Sequence, residues 1–125
     1  MSAARPPRSV HLLAWLGWSA APVAWAALHV FGFGITQAAC NAPTGARDVP
    51  VDGLAWVSTI AAALVAIAGL VGALLAFRAT GDADELPGER VHFMAVVGLA
   101  ISPLFLAIIL MDGIGTILLQ NCHQG

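Results

Sequence analysis

The sequence predicts an all-α membrane protein with three transmembrane helices, and three observations predict it. Of the 125 residues, 59% are hydrophobic and only 10% are charged, where a soluble domain is about half apolar and one quarter charged. Three apolar stretches, roughly 11–38, 53–77 and 91–119, are each long enough to cross a hydrocarbon core of about 30 Å. Apart from Asp112, the charges fall in the short segments between and before these stretches. The chain is therefore one membrane domain, 1–125, with a basic arm at 1–10, a polar loop at 41–52 and a charged loop at 78–90.

The composition excludes several functions. Lysine is absent, so there is neither a Schiff-base lysine nor a phosphate loop of the GxxxxGK[ST] type. A net charge of -2 without a long basic patch gives no footing for nucleic acid. There are no paired carboxylates, no zinc-spaced cluster and no credible cysteine–histidine nucleophile, so the chain is read as non-enzymatic.

The first stretch has no Lys, Arg, Asp or Glu from Ser9 to Gly45. It is about twice the length of a secretory h-region and is read as a span. Ser9 is the expected N-cap. Trp15, Trp18, Pro22, Trp25, His29, Thr36 and Cys40 recur at steps of three, four or seven, which gathers them on one side of a helix. That side is expected to meet the rest of the protein or a partner, with Trp18, Trp25 and Phe105 as partner contacts. Trp15, Trp18 and Trp56 also suit the headgroup level, where aromatic residues anchor a span. The second stretch repeats small residues at i, i+4: Ala62 with Ala66, Gly69 with Ala73, Gly72 with Ala76. In lipid that spacing lets helix backbones approach closely. The third carries Gly98, Ser102, Phe105, Ile109, Asp112 and Thr116 at helical steps. Pro22 and Pro103 are expected to kink their helices, with Ser19 or Ser102 satisfying the carbonyls they free. The acidic run Asp82, Asp84, Glu85 and Glu89 reads as a solvated connector.

Arginine placement sets the topology. Two arginines lie in the arm and two in the 78–90 loop, against Arg47 alone in the 41–52 loop. The N-terminus is expected inside and the C-terminus outside, with helices 1 and 3 parallel. Cys40 and Cys122 then share the non-cytoplasmic face, where disulfides persist, and a bond between them is expected. The rival is a soft metal such as copper held by Cys40, Cys122 and His123. Counted inward from the cysteines, His29 precedes Cys40 by 11 residues and Asp112 precedes Cys122 by 10. At 1.5 Å per residue both lie about 15 Å below the tie. Polar groups at such depth pair or face the bundle interior, so His29 and Asp112 are expected to approach each other as an intramembrane polar pair. His11 and His92 come out level near the opposite edge. Interfacial histidines are the simpler reading there and a bis-histidine haem the rival. No cofactor is expected.

Two segments carry a resemblance. Pro22-x-Ala24-Trp25, then His29, then Gly32-Phe33-Gly34-Ile35-Thr36-Gln37-Ala38-Ala39-Cys40 form the first. Phe93-x-Ala95-x-x-Gly98, then Ser102 through Met111, then Cys122-His123-Gln124 form the second. Together they resemble small three-span bacterial membrane proteins encoded beside haem–copper cytochrome c oxidase subunits. The resemblance covers the first and third spans and transfers no residue-level activity. It implies a multi-pass protein of the bacterial inner membrane that accompanies the oxidase as an accessory subunit or assembly helper. A haem or copper carrier, or an oligomerising transporter subunit, are the alternatives.

Overall fold

The computed structural model describes residues 6–41, 50–81 and 88–119. Within them the chain is three α-helices: α1 (Arg8–Asn41), α2 (Val51–Ala79) and α3 (Gly88–Leu118). All three are long and apolar enough to cross a membrane. At 1.5 Å per residue they measure about 51, 44 and 47 Å.

Each helix is two or three residues longer at its start than the apolar pattern alone suggests, and the reason lies at the termini. α1 starts ahead of Ser9: Pro7 O accepts from Val10 N at 2.9 Å, so Ser9 is inside the first turn and is not the cap. Pro50 O likewise accepts from Leu54 N at 3.0 Å at the start of α2. Arg78 belongs to the last turn of α2 and Glu89 to the first turn of α3. Asp52 lies in the first turn of α2. Acid at a helix start and base at a helix end complement the backbone dipole, so these charges extend helices. The expected 78–90 loop is correspondingly shorter. Thr80 closes α2, its backbone N and its Oγ1 both donating to Ala76 O. Asp82, Asp84 and Glu85, like Cys122 and His123, lie outside the described residues.

The interior is built from small side chains. α2 buries Ala62, Ala63, Ala66, Gly69, Gly72, Ala73 and Ala76, the small-residue pairs noted in the sequence. α1 buries Val10, Ala14, Gly17, Ala20, Ala21 and Ala24. The aromatic face expected to meet the rest of the protein or a partner lies beside this stripe: Trp15 is 54% exposed, and Trp18, Pro22 and Trp25 flank the buried residues at partial burial. The large apolar residues mostly point outward, Met111 at 71% and Phe93 at 68% exposure among them. Between helices in lipid there is no hydrophobic drive to place large apolar groups inside; close backbone approach is favoured instead.

The three helices meet at Gly17, Ala73 and Gly98. A Cβ added to Gly17 would lie 2.7 Å from Ala73 Cβ, and one on Gly98 would lie 2.8 Å from Gly17 C and O and 2.9 Å from Ala73 Cβ. Only glycine fits at 17 and 98. Beside this point Ser102 Oγ donates across the bundle to Gly17 O at 2.8 Å, fully buried. Further along, a Cβ on Gly69 would lie 2.9 Å from Ala20 Cβ. Two apolar clusters flank the waist. Val10, Ala14, Ala76, Val91 and Ala95 lie on one side, and Ala21, Ala24, Ala62, Ala63, Ala66 and Ile109 on the other.

The serines do not serve the prolines as expected. Ser19 Oγ donates to Trp15 O at 2.6 Å, within its own helix, and Ser102 reaches Gly17 O. The carbonyls that Pro22 and Pro103 free are those of residues 18 and 99, four positions back. Both helices run on through their prolines.

Candidate functional site

Beyond the waist, α1 and α3 bring together the polar and aromatic residues of the two motif-bearing segments. One turn separates Trp25 from His29, and the two side chains sit on the same face. Trp25 packs edge-on against Phe105 of α3, ring centroids 5.6 Å apart, and tilts against the His29 ring at 4.5 Å. Seven residues on from Phe105, Asp112 Oδ2 lies 3.5 Å from His29 Nε2. The other ring nitrogen, Nδ1, is 3.0 Å from Trp25 O. A carbonyl oxygen only accepts, so Nδ1 carries hydrogen and donates.

The site is thus an imidazole held from behind by the backbone of its own helix and facing a carboxyl group of another. The side chains of His29 and Asp112 are 49% and 40% exposed, yet Asp112 Oδ2 itself is covered and has no hydrogen-bond partner within the described residues. At 3.5 Å the pair is in ion-pair contact and longer than an ordinary hydrogen bond. The Nε1 atoms of Trp18 and Trp25 are also covered and unbonded within the described residues. On the far side of α3, a Cβ on Gly113 would lie 2.5 Å from Thr59 Cγ2. Asp112 is six residues from the end of α3 and Thr59 eight from the start of α2. The pair therefore sits about 9–12 Å inside those helix ends.

Trp25 and Phe105 were both expected to contact a partner. Their rings meet each other within the chain, and both pack partly buried on the cluster that contains Ile109. Trp18 is half-buried, its ring 5.4 Å from that of Trp15.

The opposite end carries the second histidine site. His92 Nδ1 is 3.0 Å from Thr80 Oγ1, and the ring stacks on Phe77 with centroids 4.8 Å apart. Thr80 is 3% exposed. Because the Thr80 hydroxyl already donates to Ala76 O, its oxygen is free to accept from Nδ1–H. This ties the start of α3 to the end of α2, a role that composition and spacing did not suggest. Thr80 is the residue the sequence reading missed, and its only signal was a hydroxyl one position past an apolar run. His11 is half-buried near the start of α1.

Cys40 ends the last full turn of α1. No cysteine among the described residues is free, and Cys122, its expected partner, lies outside them. Among the described residues no group of three or more His, Cys, Asp or Glu is arranged to hold a metal ion. Compared with protein-family models, curated proteins and solved structures, the chain matches none.

Proposed function

We propose that this chain is a non-catalytic, multi-pass protein of the bacterial inner membrane that packs on a respiratory cytochrome c oxidase or helps assemble it. Its N-terminus is cytoplasmic, α1 and α3 run parallel, and a Cys40–Cys122 disulfide ties their outer ends. Three contacts that advance together along both helices support the parallel arrangement: Gly17 with Gly98, Trp25 with Phe105, and His29 with Asp112.

One observation carries the reading of a partner subunit. From Trp25 to Asn41, half its length, α1 contributes no buried residue. Gly32 and Gly34 lie in that stretch with nothing within 4 Å of where a Cβ would be. A helix-interior glycine costs about 1 kcal/mol relative to alanine, and in lipid it is usually offset by a backbone packed against it. The glycines at 17, 69, 72 and 98 each have such a neighbour within the chain. Those at 32 and 34 are accounted for if another membrane subunit supplies it. The resemblance of the motif-bearing segments to oxidase-associated proteins names that subunit's complex.

Purification of the tagged protein in mild detergent tests this. Oxidase subunits are expected in the eluate at near-stoichiometric amounts. Their absence, with the three-helix protein itself intact, overturns the proposal.

A further inference from the structure

We infer that the seam between α1 and α3 beyond the His29–Asp112 contact receives a transmembrane helix that presents hydrogen-bond-donating side chains, an inference that rests on the partner subunit proposed above. Both helices turn polar positions toward this seam. On α1, Gly32 and Thr36 follow Trp25 by seven and eleven residues, close to whole turns, so they share the face that meets Phe105. On α3, Thr116 follows Phe105 by eleven residues and Asp112 by four. The face of α1 that touches α3 at Trp25 and His29 touches nothing at Gly32, where a Cβ would have no atom within 4 Å. α2 and α3 stay close here, since a Cβ on Gly113 would lie 2.5 Å from Thr59 Cγ2. It is therefore α1 that leaves the bundle, and the opening lies along its inner side.

Among the described residues, the polar atoms exposed along this opening accept hydrogen bonds. Asp112 Oδ2 is covered while its side chain is 40% exposed, so the carboxyl group turns Oδ1 outward. The Thr36 hydroxyl donates to Gly32 O at 2.9 Å and the Thr116 hydroxyl to Gly113 O at 2.7 Å. Each threonine therefore offers only oxygen lone pairs to a neighbour. His29 spends its Nδ1–H on Trp25 O.

The depth of the pair decides what can meet these acceptors. With the helices centred on the bilayer, His29 lies about 7 Å from the midpoint of α1 and Asp112 about 13.5 Å from that of α3, inside a hydrocarbon core of half-thickness about 15 Å. Strongly polar groups at such depth face protein or a polar cavity, and a lipid tail has no donor to give. A polypeptide at this depth satisfies its own backbone as a helix. Gly32 leaves room for that backbone, and a hydroxyl, amide or indole N–H on it would reach Asp112 Oδ1 and the threonines. The seam thus selects a helix with donors at one level over a uniformly apolar one.

The test replaces Phe33, 68% exposed and one turn beyond His29, with the photocrosslinking residue p-benzoylphenylalanine in the full-length protein in its own membrane. Irradiation is expected to link it to a transmembrane segment of an oxidase subunit, mapped by mass spectrometry of the tagged product. In Asp112→Leu, which removes the acceptor, the yield of that link is expected to fall at least tenfold. In Asp112→Asn, whose amide oxygen still accepts, it is expected to stay within about twofold of wild type. Links only to lipid, to a second copy of this chain or to the chain's own residues 120–125 overturn the inference. So does a yield unchanged in Asp112→Leu. If that variant does not fold, the mapped target of the link from position 33 decides alone. Oxidase subunits in the eluate without a link from position 33 remove this inference and leave the proposed partner standing; an eluate without them removes both.

Discussion

The half of the bundle around Gly17, Ala73 and Gly98 and the half around His29 and Asp112 are held by different forces. At the waist three backbones close to the limit set by Cβ contact, and one buried serine bonds across them. Dispersion between small groups and short polar contacts dominate there. In the other half α1 buries no residue, and the links to α3 among the described residues include a ring pair and an ion-pair contact. The comparison teaches that a membrane bundle can be rigid at one level and tied by a few discrete contacts at another. The partner contact proposed above falls where the discrete contacts are.

The sharpest way to break this contrast is to cut the tie proposed for the open half. Cys40→Ser, or reduction, removes a cross-link that closes about 80 residues, for which the chain-entropy model gives about 4 kcal/mol. The unfolding transition in a denaturing-detergent titration should drop accordingly and be insensitive to reductant in the variant. Wild type that is equally insensitive denies the bond. Gly98→Leu attacks the waist. Its side chain has no room beside Gly17 and Ala73, and overpacking of about 3 kcal/mol is expected, measured in the same titration. Ser102→Ala removes only the hydroxyl that reaches Gly17 O. Hydrogen bonds between helices in lipid contribute about 0.6 kcal/mol on average, and a loss of about 1 kcal/mol is expected at this buried site. Gly32→Leu is the smallest effect on the chain alone. It meets open space and raises helix propensity, so stability is unchanged or up by about 1 kcal/mol. If the proposed function holds, retention of oxidase subunits should fall at least tenfold, because the added side chain fills the surface proposed to meet them.

The same contrast explains what could be read from the sequence. The packing face of α2 was legible because its small residues repeat at i, i+4 from Ala62 to Ala76. The approach of His29 to Asp112 was legible by counting residues inward from the two cysteines. The inner face of α1 was not. The tryptophans form a conspicuous stripe, whereas the buried positions, Val10 apart, are alanines and glycine one step round the helix. In a soluble helix the large apolar stripe goes inside; between membrane helices the small one does. The destinations of Ser19 and Ser102 were illegible for another reason. A hydroxyl serves whichever carbonyl its rotamer reaches, and Ser102 found a neighbouring helix in place of its own.

The crossing of three backbones at Gly17, Ala73 and Gly98 has a consequence for transport. Where main chains touch, a single copy has no lumen, and neither water nor a solute can follow its central axis from one face to the other. Any species that crosses the bilayer with the help of this protein must travel along its outer surface.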